Sequence, residues 1–334
     1  VKAAVYHGAN DITIEDVPDP VPGSGEVLLK PVYCGICGTD IDAWKRGMYA
    51  PGVVIGHEFS AQVVECGAGV EQVKKGDYVV GKSVIPCHSC EFCKNGRYSL
   101  CDTMEMPGIT INGGCAEFCV LPADSVVTIP ENVSLDEAAL TEPVSVVMHG
   151  FNKIQYTSKD TVILGAGTIG LCALQIALQE SSLVGVSEPN EIRRDKAHQM
   201  GAHTVIDPAE SNVSLSFEEV AGHPPEYVVE CSGSSHAASD ALSLVRKGGT
   251  ILYLGISEDL VEADFMTAVL NELTIQFSYC SYSEFSTALS LMAAKKIDVT
   301  PIITKKISLE NVVEKGFKEL TTPDTDHIKI LVKL

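Results

Sequence analysis

The chain has 334 residues, room for about two domains of roughly 100–200 residues each. Its 44 acidic side chains outnumber 24 basic ones, for a formal charge of −20, which argues against nucleic acid and disfavours an anionic membrane surface as partners, since both are bound through clustered Lys and Arg. A composition 45% hydrophobic and 20% charged, without low-complexity tracts or solenoid repeats, is that of a globular protein. No charged segment followed by an apolar stretch and cleavage site opens the sequence, so a cytoplasmic location is expected.

The N-terminal region reads as β structure. Residues 3–6, 12–15 and 26–31 are short extended runs separated by Pro18-Asp19-Pro20 and Pro22-Gly23, and residues 58–64, 78–80 and 116–120 continue the pattern. Near residue 145 the texture changes. Strands at Thr161–Leu164, Val184–Ser187, Thr204–Ile206, Tyr227–Glu230, 250–254 and Thr274–Phe277 alternate with helices such as 169–178 and 191–200, the latter ended by Gly201. Strand–helix alternation predicts an α/β fold with a doubly wound parallel sheet. Residues 161–178 are nearly continuously apolar, yet their glycines and Gln175 favour a buried strand–turn–helix over a membrane span. One more helix, 285–294, and a closing strand, 328–332, complete the chain.

Gly165-Ala-Gly167-Thr168-Ile169-Gly170 is a G-x-G-x-x-G turn that follows an apolar strand and opens a helix. In that context Gly165 permits the tight turn, Gly167 lets a pyrophosphate approach the backbone, and Gly170 lets helix and strand pack closely. The helix N-terminus receives the phosphate charge. Glu188 ends the next strand 23 positions after Gly165, where a carboxylate accepts hydrogen bonds from a ribose diol and repels a 2′-phosphate. NAD is therefore expected over NADP, with Arg193 as a further cofactor contact; Arg193 and Arg194 would favour a phosphate only if Glu188 turned away.

Twelve cysteines in a chain of this length suggest metal ligands where clustered and reduced buried thiols where scattered. Cys87, Cys90, Cys93 and Cys101 have the spacing of a closed tetrahedral zinc site, with no position for water or substrate and hence structural; disulfides are the alternative. His88 lies inside this cluster as a redundant, solvated residue. A second group is dispersed: Cys37, the pair His57-Glu58, and Glu142. Together they offer a thiolate, an imidazole and carboxylates and leave a zinc position open for an alcohol. A Cys34/Cys37 redox or metal pair competes with that reading.

At these residues the sequence resembles the zinc-containing medium-chain alcohol dehydrogenase superfamily, in which a Cys/His catalytic zinc is a long-known site type. The likeness spans essentially the whole chain and lies nearest the polyol branch of sorbitol, butanediol, threonine and galactitol-phosphate dehydrogenases. It is carried by Gly35-Ile-Cys37-Gly-Thr39-Asp40, Gly56-His57-Glu58, the four-cysteine lobe, Glu142-Pro143, the glycine turn and Ser187-Glu188-Pro189. It implies a GroES-like β-rich catalytic domain, 1–145 and 284–334, with a structural zinc lobe at about 85–103, around a Rossmann NAD-binding domain, 146–283. It also implies catalysis in the cleft between the domains, two zinc ions per chain, NAD, and a dimer or tetramer. Cys37 and His57 are the implied zinc ligands; between Glu58 and Glu142 as the third, the choice stays open.

The implied chemistry is oxidation of a secondary hydroxyl of a small polyol or diol. Zinc lowers the pKa of a bound hydroxyl and the nicotinamide takes the hydride. Thr39 resembles the family's proton-accepting hydroxyl, although a helix-capping role is as natural from sequence alone. Many relatives carry histidine where this chain has Asp42, whose ordinary pKa of about 3.9 makes it a poor proton carrier; protons are expected to leave through water, along Glu142 or Glu58. Trp44, Tyr49 and Phe59 are either pocket-lining or core, and Lys45 and Arg46 either an anion site or a solvated helix face. The competing activity is a threonine-type or phosphorylated-alcohol dehydrogenase.

Overall fold

Short apolar runs broken by proline and glycine become strands, as their spacing predicts. The computed structural model describes residues 1–257, 259–322 and 325–334, which divide into two units. One holds Val1–Ser145, Cys280–Lys295 and Ile303–Leu334; the other holds Val146–Tyr279 and Lys296–Ile302. The chain thus re-enters the first unit at Cys280, slightly earlier than residue 284, and a short excursion at Lys296–Ile302 belongs to the second unit.

The first unit begins with β1 (Lys2–Gly8), β2 (Asp11–Asp16), β3 (Glu26–Gly35), α1 (Gly38–Arg46), β4 (Val53–Val54), β5 (Glu58–Cys66) and β6 (Tyr78–Gly81). Then follow α2 (Glu91–Lys94), β7 (Cys119–Pro122), β8 (Val126–Thr128), α3 (Leu135–Ala138) and the start of α4 (Thr141–Lys153). The strand expected at 116–120 is displaced: Ala116 makes only an isolated bridge to Ala3, and pairing with β3 begins at Cys119 opposite Leu29. Strand β3 runs past its expected end at residue 31. It crosses Pro31, which has no N–H to give, through a register shift between Pro31 and Tyr33.

The second unit carries β9 (Thr161–Leu164), α5 (Thr168–Ala177), β10 (Val184–Ser187), α6 (Glu191–Gln199), β11 (Thr204–Ile206), α7 (Val213–Ala221), β12 (Tyr227–Glu230), α8 (Ser235–Leu244), β13 (Thr250–Tyr253), α9 (Phe265–Leu270) and β14 (Thr274–Phe277). Among the described residues these strands form one all-parallel sheet in the order β11-β10-β9-β12-β13-β14. The order reverses at β9, and in such sheets ligands bind beyond the carboxyl ends of the strands at that point. No described helix is long and apolar enough to cross a membrane; residues 161–178 are split into β9 and α5 by the glycine turn.

The chain then returns with α10 (Phe285–Ala293), β15 (Ile303–Ser308) and β16 (Lys329–Lys333). Strand β16 inserts between β15 and β3, giving the order β15-β16-β3-β5-β6-β8 with β7 also on β3. The core beneath this sheet gathers Leu29, Phe59, Leu121, Val312, Phe317 and Ile330, all at most 1% exposed.

The glycine turn depends on one contact. A Cβ at Gly170 would lie 1.8 Å from the carbonyl oxygen of Gly165, itself at φ +98°. Gly170→Ala therefore forces β9 and α5 apart. It is expected to cost about 1–3 kcal/mol, as overpacking does, and to lower the unfolding midpoint in a thermal melt.

Candidate metal and cofactor sites

Strand register builds the first site. β3 and β5 pair antiparallel with Gly35 opposite Glu58, so the residues just beyond one strand end meet those at the start of the other. Cys37, His57 and Glu58 each present one donor atom, all within 4.8 Å of one another. His57 and Glu58 are 4% and 2% exposed. Gly35 is needed for this approach, since a Cβ there would fall 2.3 Å from Glu58 Oε2.

Neighbouring groups hold the three in place. Asp40 Oδ2 accepts from the Cys37 N–H at 2.9 Å, and its Oδ1 accepts from the Tyr49 hydroxyl at 2.9 Å and stands 3.7 Å from His57 Nδ1. That separation is longer than a hydrogen bond, and His57 Nδ1 is buried without a hydrogen-bond partner among the described residues, so Asp40 acts on the imidazole through its charge. Thr39 Oγ1 is 3.7 Å from Cys37 Sγ. Lys329 Nζ, 2% exposed, donates to both Glu58 oxygens at 2.9 and 2.6 Å and to the Ile36 carbonyl at 2.9 Å. Lys329 reaches them because β16 pairs Leu331 with Gly35, setting the lysine beside the end of β3. Glu142, in the first turn of α4, lies outside the three-residue cluster; Ser83 Oγ donates to its Oε1 at 2.8 Å.

The surroundings are acidic. Burial raises the pKa of Asp40 and of Glu142 above the ordinary carboxylate range. Burial also opposes charge on His57, but the Asp40 carboxylate and the Cys37 thiol outweigh it and raise the imidazole pKa well above its usual value. Thiol, imidazole and carboxylates crowded around a single lysine make a donor set suited to a divalent cation.

The second cluster, Cys87, Cys90, Cys93 and Cys101, likewise brings its sulfurs within 4.8 Å. Backbone N–H groups point at sulfur: Cys90 to Cys87 at 3.4 Å, Cys93 to Cys90 at 3.4 Å and Cys87 to Cys101 at 3.3 Å. Hydrogen bonds from Ser89 and from the following backbone hold the Cys87 thiol down to about 5, the thiolate state a metal requires. Four thiols close the site to other ligands. His88 turns away on a left-handed backbone, φ +55°, and meets Asp124 at 3.1 Å.

In the second unit, a cavity of about 460 Å³ is lined by Gly165, Gly167, Glu188, Arg193, Ser232 and Asp240 among others. Gly167 caps α5 and has open space where a Cβ would stand. Thr168 and Ile169 form the first turn of α5, half-buried and outside the cavity lining. Glu188, 5% exposed, accepts from Ala166 N at 2.7 Å and Asn190 N at 2.9 Å, fixing its carboxylate at the cavity wall. Arg193 Nε is buried without a hydrogen-bond partner, a donor waiting for an oxygen-rich ligand.

Two sequence readings resolve toward packing. Trp44, Tyr49 and Phe59 all belong to the core, and Tyr49 spends its hydroxyl on Asp40. Lys45 and Arg46 lie exposed at the last turn of α1. Lys329, Ser83 and the contacts of Asp40 with Cys37 and Tyr49 were not foreseen. Asp40 had a signal, its capping distance of three residues from Cys37; Lys329 had only its place as a lone charge in the apolar 328–332 strand.

Removing Lys329 would strand a buried carboxylate. Lys329→Met is expected to destabilise the metal-free protein by about 3–5 kcal/mol, and Lys329→Met/Glu58→Gln to recover most of that loss in denaturant unfolding.

Residues 23–131 match the family described as alcohol dehydrogenase GroES-like domain, and residues 168–294 match zinc-binding dehydrogenase. A sorbitol dehydrogenase of Gallus gallus is 33% identical over 99% of this chain and 96% of its own length. An L-threonine 3-dehydrogenase of Pyrococcus furiosus is 31% identical over 100% of this chain and 98% of its own. The crystal structure of 2R,3R-butanediol dehydrogenase from Bacillus subtilis superimposes with a TM-score of 0.92 at 29% identity, covering 100% of this chain and 99% of that one. With its own β-rich GroES-like unit, parallel Rossmann-like unit and two candidate metal-ligand clusters, the chain belongs to the zinc-binding, medium-chain dehydrogenase superfamily and is an NAD(P)-dependent oxidoreductase.

Proposed function

We propose that the protein oxidises a secondary hydroxyl of a small, neutral polyol or diol to the ketone and passes the hydride to NAD. The convergence of Cys37, His57 and Glu58 within 4.8 Å carries this reading. Cys37, His57 and Glu58 would hold a zinc ion, which would supply Lewis-acid polarisation of a hydroxyl, and NAD would supply the hydride acceptor. Thr39, beside Cys37, accepts a hydrogen bond from the substrate hydroxyl, and the proton that hydroxyl loses leaves to solvent by way of water along Glu142, the nearby carboxylate fixed by Ser83. Asp42, half-buried on α1 and facing Lys45 and Arg46, is a bystander in that route. Glu188 selects NAD by taking up the ribose diol, with Arg193 as a donor to the same cofactor. The four-cysteine lobe holds a second, structural zinc. Thiolate ligands need a reducing compartment, which favours the cytoplasm.

The charge around the cluster favours a neutral substrate. Asp40, Glu58 and Glu142 surround it, and Lys329 is already engaged by Glu58 and Ile36, so no described cation is free there for a phosphate or carboxylate. Sorbitol and butanediol, named for two relatives, are neutral polyols; the threonine dehydrogenase relative keeps an amino alcohol as the second reading.

A homo-oligomer, dimer or tetramer, also fits. Among the described residues strand β14 is an open sheet edge, and beside it Phe265, Met266, Val269 and Leu270 are 70–73% exposed, with Phe277 at 67%. An apolar patch on an unpaired edge calls for a partner, and a second copy supplies a matching edge.

NAD reduction with a panel of diols, polyols, L-threonine and phosphorylated sugars tests the substrate class; activity confined to anionic alcohols refutes it. Two zinc ions per chain are expected, falling to one with loss of turnover in His57→Ala, while Asp42→Asn retains turnover. Light scattering is expected to give a dimer or tetramer that Val269→Asp/Leu270→Asp converts to monomer.

A further inference from the structure

Arg194 stands apart from its neighbour Arg193. Its Nη1 donates to the carbonyl of Glu188 at 2.9 Å and to that of Pro189, and it pairs with Asp207 Oδ2 at 2.9 Å, each side chain of the ion pair being 17% exposed. Asp207 in turn organises the loop after β11: its Oδ1 accepts from Ala209 N at 2.9 Å, and its carbonyl accepts from Ser211 N at 3.0 Å. Pro189 on one side and Pro208 and Ala209 on the other line the 460 Å³ cavity. One guanidinium therefore ties together the loops that follow two adjacent strands and form one wall of that cavity. All of these contacts run through one terminal nitrogen, Nη1, so a single charged donor group serves both loops.

We propose that Arg194 is a positioning residue for the cofactor cavity and sets its preference for NAD by holding the Glu188 turn in place. This rests on the reading of the cavity as the NAD site. Glu188 is anchored at three points: its N–H to Ile206 O at 3.0 Å, its carboxylate by Ala166 and Asn190, and its carbonyl by Arg194. The first belongs to sheet continuation and the second is a pair of contacts that a ribose can share. The carbonyl anchor fixes the peptide between Glu188 and Pro189, and with it the direction in which the carboxylate projects. Without Arg194 the turn gains freedom, the carboxylate leaves the position that accepts a ribose diol, and its repulsion of a 2′-phosphate weakens.

The test uses the zinc-loaded enzyme and the variants Arg194→Met, Arg194→Lys and Asp207→Asn. Loss of hydrogen bonds from a charged donor, about 1.5–3 kcal/mol, corresponds to about tenfold or more in affinity. Arg194→Met is expected to raise the KM for NAD and the Kd for NADH (read by fluorescence) by about tenfold and to lower the NAD-over-NADP ratio of kcat/KM by a similar factor. At saturating NAD its kcat stays within about twofold of the parent. Asp207→Asn shifts the same quantities less, and adding it to Arg194→Met produces no further loss. Unchanged KM and cofactor ratio, or a fall in kcat with KM intact, overturns the proposal. Should Arg194→Met fail to fold, Arg194→Lys, which keeps the charge but changes the reach of the donor nitrogen, is judged by the same two readings. A parent enzyme that binds neither NADH nor NADPH refutes the cavity's assignment instead.

Discussion

The pairing of β3 with β5 puts Gly35 opposite Glu58, and the first unit's chemistry follows from that register. A one-residue slip in an antiparallel pair turns each side chain to the other face, which would separate Cys37 from His57 and Glu58. The glycine at position 35 lets the Glu58 carboxylate lie against the sheet, where a Cβ would stand 2.3 Å from it. β16 completes the arrangement from the opposite side of β3, delivering Lys329 to the same carboxylate. Three strands drawn from residues 26–35, 58–66 and 329–333 thus meet at one point.

Electrostatics then makes this point a candidate metal centre. Burying a thiol, an imidazole and several carboxylates together is costly unless a cation joins them. One lysine satisfies Glu58 and leaves Asp40, Glu142 and Cys37 facing a histidine. A divalent ion balances such a set, whereas in the lobe four thiols with backbone N–H groups aimed at sulfur form a closed site of the other kind. The two clusters differ in what they leave open: three donors meet at one and four at the other.

In the second unit the parallel sheet reverses its strand order at β9, and the loops beyond β9, β10, β11 and β12 surround one cavity. Its features are backbone features first: a glycine turn with room for a ligand, a helix start at Gly167 without a side-chain cap, and a buried carboxylate held by two N–H groups. Arg194 ties two of those loops to each other, so that wall of the cavity is braced by a side chain that does not itself line it.

Much of this was legible in the sequence. The four-cysteine spacing, the glycine turn with Glu188 and the strands Thr161–Leu164, Val184–Ser187, Thr204–Ile206 and Tyr227–Glu230 are local patterns, and local patterns are written in neighbouring residues. The family motifs around Cys37 and His57 named the dispersed ligands before their meeting could be seen. Tertiary structure decided the rest: which carboxylate joins Cys37 and His57, that Tyr49 serves Asp40 rather than a pocket, that Arg194 braces while Arg193 faces the cavity, and that Lys329 pairs with a residue 271 positions away. Those outcomes depend on strand register and side-chain direction across distant segments, and no spacing along the chain encodes either.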